Sequence, residues 1–411
     1  MHACRATHAF FLAAALLPFS ASAQGLVEDT TATLNFRNFF FERHFTAPGA
    51  PQRQAREWTQ GVILDLRSGF SQGTVGFGVD VLGKYAVKLD GGAGHYGALL
   101  LPRDGDGDPA RSFGRLGLAL KARVSATELK VGEWMPNFPV VTADDFRALP
   151  QTFRGAQIAS QELRNWSFYA GELTRTSLRN DSSMEPLAFG TAQSDAFRFL
   201  GADYRPASRN TTLRLWSGEL EDIYQQHYLG LNQKWPLSEA VSFSANLGYF
   251  RGKDAGSAKA GRLDNRTASA LFSLAIAQHA FSLGLQDVAG DSGWMRIAGT
   301  GGIYLANNTF NHAFDNPRER SWQLRYDLNF VGYGIPGLTL MTRYVHGDNV
   351  ELRNVTGGSE WARESELGYV LQSGTFKDLS VRWRNSSIRR DFNASDYDEN
   401  RLIISYPLNI L

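Results

Sequence analysis

The chain has one cysteine, Cys4, among 411 residues, few prolines (14) beside its 41 glycines, and almost no charge excess, with 42 basic against 41 acidic side chains. Each shortage excludes something. With its only thiol at position 4, the rest of the chain has no disulfide, no thiolate nucleophile and no cysteine–metal site. Balanced charge argues against nucleic acid as a partner, because such domains carry a large basic excess. After residue 23 no apolar run reaches the roughly 20 residues that a membrane helix needs, so helical spanning is excluded. A Gly-x-Ser-x-Gly elbow, a Walker loop and a dinucleotide fingerprint are all missing. Beyond residue 23 no two histidines lie within five residues of each other, so no local zinc pair exists. The run Asp104-Gly105-Asp106-Gly107-Asp108 starts like a calcium loop. Pro109 then replaces the turn glycine, and Arg115 the bidentate acid. No catalytic residue, metal or cofactor is expected.

What is present begins with an export signal. His2 and Arg5 precede the apolar stretch 9–17, and Ala21-Ser22-Ala23 supplies the small residues cleaved before Gln24. Residues 1–23 are therefore expected to leave, and 24–411 to form one domain.

That domain reads with a period of two, at which successive side chains point to opposite faces of a strand. Trp322, Leu324, Tyr326, Leu328 and Phe330 alternate with Gln323, Arg325, Asp327 and Asn329. Leu402, Ile404, Tyr406, Leu408 and Ile410 alternate with Arg401, Ser405 and Asn409. Val241, Phe243, Ala245, Leu247 and Tyr249 alternate with Ser242, Ser244, Asn246 and Gly248, and Leu116, Leu118 and Leu120 face away from Arg115, Lys121 and Arg123. A secreted β-sandwich alternates too, but its polar face mixes Lys, Glu and Thr. Here that face carries Gly, Ser, Asn, Gln and Arg, while the apolar face bears Trp58, Trp322, Tyr326, Tyr344, Trp383 and Tyr406, as at a bilayer interface. The pattern predicts lipid outside and water inside.

Tight-turn chemistry recurs at 68–73, 124–127, 161–165, 205–209, 236–239, 277–280, 334–337 and 374–378. Each intervening stretch is long enough for two strands of about 10 residues and a longer loop. Eight such turns, with both chain ends on the same rim, require nine hairpins. The expected fold is an 18-stranded antiparallel transmembrane β-barrel, wide enough for an aqueous channel. Residues 134–160 are too long for a loop tip and too apolar for water, which predicts a constriction loop folded into the lumen. Residues 289–319 are a second candidate.

Several cations fall on the inward face. Arg382 and Arg384 project the same way from one strand, and Arg401 starts the next. Arg37 lies on the first strand, which closure brings beside them. Lys121 and Arg123 share a face, Lys130 follows, and Arg325 and Arg343 point inward from two others. Arginine presents a planar fork matched to a carboxylate and keeps its charge. Conduction needs several weak sites rather than one strong one. The alternative is that these cations pair with Asp80, Glu128, Asp327 or Glu366 and hold the barrel in shape. Inward acids near 380–405 look too few for the whole group.

Longer matches carry a resemblance. They include Trp58-Thr59-Gln60-Gly61, Gly69-Phe70-Ser71-Gln72-Gly73-Thr74-Val75-Gly76-Phe77-Gly78-Val79-Asp80, Lys88-Leu89-Asp90-Gly91, Leu149-Pro150-Gln151-Thr152, Gly218-Glu219-Leu220-Glu221-Asp222-Ile223-Tyr224, Ser321-Trp322-Gln323-Leu324-Arg325-Tyr326-Asp327-Leu328-Asn329 and Arg401-Leu402-Ile403-Ile404-Ser405-Tyr406-Pro407-Leu408. On these the chain, over its whole length after residue 23, resembles the OprD family of Gram-negative outer-membrane carboxylate channels. The resemblance implies passive uptake of small carboxylates, a monomer or weak homotrimer in outer-membrane lipid, and no enzymatic activity. It implies a basic ladder at Arg37, Arg123, Lys130, Arg325, Arg382, Arg384 and Arg401, with Lys121 and Arg343 added from phase alone. Arg154, just after Leu149-Pro150-Gln151-Thr152-Phe153, is similar to the constriction arginine of the branch that takes cyclic and aromatic acids. The branch selective for basic amino acids or peptides keeps an acidic pocket before Ser321, where only Asp315 is available. An unselective diffusion pore is the remaining alternative.

Overall fold

In the computed structural model, residues 24–92 and 94–411 are described; the expected export signal at 1–23 lies outside the described residues. A short helix, Gln24–Glu28, leads into the wall. The strands are β1 (Thr31–Phe45), β2 (Gln54–Arg67), β3 (Gly76–Asp90), β4 (Ser112–Val124), β5 (Thr127–Trp134), β6 (Thr152–Ser160), β7 (Trp166–Ser177), β8 (Phe197–Tyr204), β9 (Thr211–Leu220), β10 (Tyr224–Pro236), β11 (Val241–Asp254), β12 (Asp264–Ile276), β13 (His279–Ala289), β14 (Arg320–Asn329), β15 (Leu338–Leu352), β16 (Val355–Val370), β17 (Ser380–Arg390) and β18 (Tyr397–Asn409). Each pairs antiparallel with its neighbours in sequence. β1 also pairs with β18, from Thr33 opposite Asn409 to Phe45 opposite Tyr397, so the sheet closes and leaves no edge.

A bilayer demands a continuous apolar exterior, and the alternation supplies it. On β4, Leu116, Leu118 and Leu120 are 64%, 55% and 67% exposed, whereas Ala119 and Lys121 between and beside them are buried. Three open leucines in a row suit lipid, not water. Trp58, Trp322, Tyr344 and Trp383 share that exposed face. No helix among the described residues is long and apolar enough to cross a membrane; the crossing is made by strands.

The eight tight turns fall where the sequence places them, all on the rim that holds both chain ends. The other rim carries the long connectors, and much of their length turns inward. The predicted inward loop is shorter than 134–160, because Thr152–Ser160 is itself wall, paired with β5 and β7. The true connector, residues 135–151, is buried at Ala148 and Leu149. It is tied down by Lys84 Nζ on the Pro150 carbonyl (2.8 Å) and by Gln151 Nε2 on Thr176 Oγ1 (3.0 Å). Residues 290–319 also fold in, burying Phe314 and Asn307. Two further segments enter that the sequence did not single out. Residues 97–101 thread their amides onto Glu57, and the loop after β7 sends Arg179 to Asp144. The Asp104 turn is self-contained, its Oδ1 accepting the amides of Asp106 and Asp108.

Candidate functional site

Two inward segments meet the wall at one place. Phe310, near the tip of the 290–319 segment, donates its backbone N–H to the Glu364 carboxylate (3.0 and 3.1 Å). Its ring centre lies 4.4 Å from the Arg384 guanidinium, 5.3 Å from Arg343 and 5.9 Å from Arg401. Three cations over one ring exploit its negative face. Beside it, Asn311 Oδ1 accepts from Arg147 Nη2 (3.0 Å) and also from Arg401 Nη2. The 135–151 loop is thereby joined to the 290–319 segment.

Strand register explains why these arginines gather. Arg384 on β17 is opposite Arg401 on β18, and Glu366 on β16 is opposite Arg384. Arg325 on β14 is opposite Arg343 on β15, which in turn is opposite Glu364. Like charges in register repel, and each arginine is paired with an acid, Glu399 serving both Arg401 and Arg43. Arg343 Nε reaches Glu364 at 2.8 Å, Arg325 reaches Asp327 at 2.7 Å through two nitrogens, Arg401 Nε reaches Glu399 at 2.6 Å, and Arg384 pairs with Glu366. Inward acids are therefore not too few near 380–405. Glu360, Glu364 and Glu366 all face inward from β16, and Glu399 from β18.

The guanidinium groups differ in what remains free. Arg343 has all three nitrogens engaged, with Asn308 O and Gln323 as further acceptors. Arg384 uses only Nε, Arg401 Nη1 is buried without an acceptor, and Arg382 has neither ion pair nor side-chain hydrogen bond among the described residues. The open donors are those of Arg384 and Arg382 on β17, because Arg401 on β18 is fully buried. Two residues along a strand advance it by about 7 Å, which is the step from Arg384 to Arg382. Below the Phe310 tip, a cavity of about 900 Å³ opens, lined among others by Phe310, Arg325, Asp327, Arg343, Glu366 and Arg384.

The remaining sequence-predicted residues are placed elsewhere. Arg37 binds Asp145 (2.7 Å) and the Arg147 carbonyl (2.8 Å), so it holds the inward loop. Lys121 and Lys130, opposite each other on β4 and β5, share Asp80 at 2.7 Å each. Arg123 stands 4.1 Å from the Phe70 ring at the tight-turn rim, with Lys121 at 4.7 Å. This is a second cationic group, apart from the first. Arg154 is exposed, and its side chain has no partner among the described residues; its neighbour Phe153 fills the inner apolar cluster. The loop arginine that reaches the Phe310 cluster is Arg147, not Arg154. Burial, with Arg401 and Arg179 adding repulsion, holds the Arg147 guanidinium well below its usual range, against the pull of Glu399. Burial lowers Arg179 too, against the pull of Asp144.

A closed barrel of this topology, narrowed by inward loops, has a match along nearly its full length. The family model described as "outer membrane porin, OprD family" matches residues 24–410. The chain belongs to the OprD family. These porins are passive channels of the outer membrane, not enzymes. Three solved structures of the family are similar to this chain, each over 94% of it and 100% of the other. A BenF-like porin from Pseudomonas fluorescens Pf-5 has a TM-score of 0.93 at 53% identity. Pseudomonas aeruginosa OccK2 (OpdF), in complex with glucuronate, has 0.87 at 54%. Pseudomonas aeruginosa OpdK, with vanillate, has 0.89 at 46%.

Sequence reasoning missed Arg147, Arg179, Asn311 and Phe310. The first three sit in loops with no periodicity to give their direction. Phe310 carried a faint signal, an aromatic in a Gly- and Asn-rich segment already read as inward.

Proposed function

We propose that this OprD-family porin selects small monocarboxylates with a ring, cyclic or aromatic, and passes them along Arg384 and Arg382. The observation that carries the reading is the set of unpartnered guanidinium donors of Arg384 and Arg382 on β17, beside the Phe310 ring. A carboxylate takes two parallel N–H bonds from such a fork, while its ring lies against Phe310. Because Glu366 already holds Arg384, that site stays weak enough to release its anion toward Arg382. Lys121, Lys130 and Arg123 then meet the anion at the inner rim. The glucuronate and vanillate bound by the similar porins are both ring acids, which supports this class.

Selectivity for basic amino acids finds no support, since Asp315 is occupied by Arg296 at 3.0 Å. The test is single-channel recording in planar bilayers, with a liposome-swelling panel of aromatic acids, amino acids and sugars. Ring acids should saturate flux and interrupt current. Equal, unsaturated permeation of all solutes of one size would leave an unselective pore.

A further inference from the structure

The outer wall holds a site that channel function does not use. On the lipid-facing side of β7 to β11, small Ala202 and Ser217 lie among Phe168, Leu200, Leu215, Leu229 and Tyr249, leaving an apolar groove of about 620 Å³. At its end nearer the long-loop rim, His227 and Arg251 line it. Register extends the row, with Ser217 opposite His227, His227 opposite Arg251 and Arg251 opposite Arg266. All three basic residues are exposed, and neither His227 nor Arg251 has a side-chain partner among the described residues. Arg266 has only Asp264 at 3.8 Å. Lys253, the next outward residue on β11, is likewise exposed.

Unpaired cations here need an explanation. One step below them, Leu215, Leu229 and Tyr249 face hydrocarbon, so the row lies at the upper boundary of the apolar belt, where lipid headgroups sit. Neighbouring strands are about 4.8 Å apart, which brings two arginine forks to one anion; a phosphate offers three strongly accepting oxygens to such a pair. Basic pockets at a membrane boundary recognise anionic headgroups in this way.

We propose that this groove binds a phosphorylated lipid of the outer leaflet, its phosphate held by Arg251, Arg266 and His227 and an acyl chain lying over Leu215, Leu229 and Tyr249. The proposal rests on the barrel's place in the outer membrane and not on the channel's substrate.

The experiment is native mass spectrometry of the full barrel released from lipid nanodiscs containing bis-phosphorylated lipid A, repeated with the dephosphorylated lipid. Wild type should retain the phosphorylated lipid, and Arg251→Ala/Arg266→Ala should retain it more than about tenfold less. Leu229→Ala, which leaves the cations in place, should weaken retention of both lipid forms. Unchanged heat-modifiable mobility on gels and unchanged conductance certify that the variant barrel has folded. Equal retention by wild type and the double variant overturns the proposal, as does equal retention of the dephosphorylated lipid. A lipid-free dimer or trimer that survives the double substitution overturns it too, and makes the groove a subunit contact.

Discussion

Arg384 and Arg401 face each other across β17 and β18, and each is paired with a carboxylate, Arg384 with Glu366 and Arg401 with Glu399, which Arg43 shares. The acids screen a repulsion that would otherwise push two opposed strands apart, and they also compete with any passing anion. Removing one acid should therefore strengthen the site. Glu366→Gln is expected to raise anion selectivity and lower the half-saturating concentration of a benzoate-like acid by about three- to tenfold. Arg384→Gln should move both quantities the other way. Reversal potentials and saturation curves in planar bilayers measure them. If both variants shift in one direction, the pair is only scaffolding.

Phe310 lines the cavity beside Arg384, and the proposed function makes its ring the face on which an aromatic acid rests. In Phe310→Ala, conductance should rise, while aromatic acids lose about 1 kcal/mol of binding, roughly a fivefold rise in half-saturation. Phe310→Leu should keep the narrow bore yet lose the aromatic preference. A leucine variant that binds vanillate as well as wild type would remove the ring from the account.

The barrel was legible because lipid enforces strict alternation and because one rim uses short, chemically marked turns. Six of the eight turns carry Gly, Pro, Asn or Asp, while 124–127 and 277–280 carry none. The acids of β16 were not legible in the same way. Their strand reads Val355-Thr356-Gly357-Gly358-Ser359-Glu360-Trp361-Ala362-Arg363-Glu364-Ser365-Glu366, and its outward positions include Ser359, Arg363 and Ser365, which break the apolar stripe. Without that stripe Glu360 and Glu364 have no visible phase, Glu366 being the one acid of the three read as a partner for the inward cations, and the lumen reads as more basic than it is. The inward loops were legible only as anomalies of length and apolarity, because a loop's direction is set by tertiary contacts such as Lys84 on the Pro150 carbonyl.

Glu57 organises one of those loops. Its Oε1 accepts the amides of Gly97 and Ala98 at 3.2 Å, and its Oε2 those of Leu100 and Leu101 at 3.0 and 3.1 Å. Glu57→Ala leaves four donors without their acceptor, at a cost of about 3 kcal/mol. The 91–111 segment should become readily cleaved by added protease and the open-channel current noisier. Glu57→Gln keeps one carbonyl oxygen and should show about half the effect. Equal protease resistance in all three proteins would mean that packing of Leu100 and Leu101 alone holds the loop.

Glu319 links the 290–319 segment to pH. Burial, reinforced by the nearby charge of Glu360, pushes its carboxyl well above the usual range, while Asn316 donates to its Oε2 at 3.0 and 2.9 Å and works the other way. The folded state thus holds a proton that the unfolded chain releases near pH 4.3. Stability contributed by this group is complete below that pH and falls as pH rises toward the raised value, by up to about 1.4 kcal/mol per pH unit. Glu319→Gln mimics the protonated form. Its melting temperature in detergent should be flatter with pH and higher than wild type at neutral pH. Parallel curves for the two proteins would show that Glu319 stays ionised.

Arg147 and Arg154 separate a built constriction from a sequence resemblance. Arg147 gives Nε to the Ala98 carbonyl at 2.9 Å and Nη2 to Asn311, with Phe41 5.2 Å below its guanidinium, so three inward segments depend on it. Arg147→Ala would strand buried acceptors and free the 135–151 loop. It should cost about 3 kcal/mol, raise conductance and abolish discrimination between ring acids and sugars. Arg154→Ala touches none of these contacts and should leave conductance, selectivity and melting temperature unchanged. If Arg154→Ala is instead the variant that loses ring-acid selectivity, the solute path runs along β6, and the Phe310 cluster serves only to hold the loops.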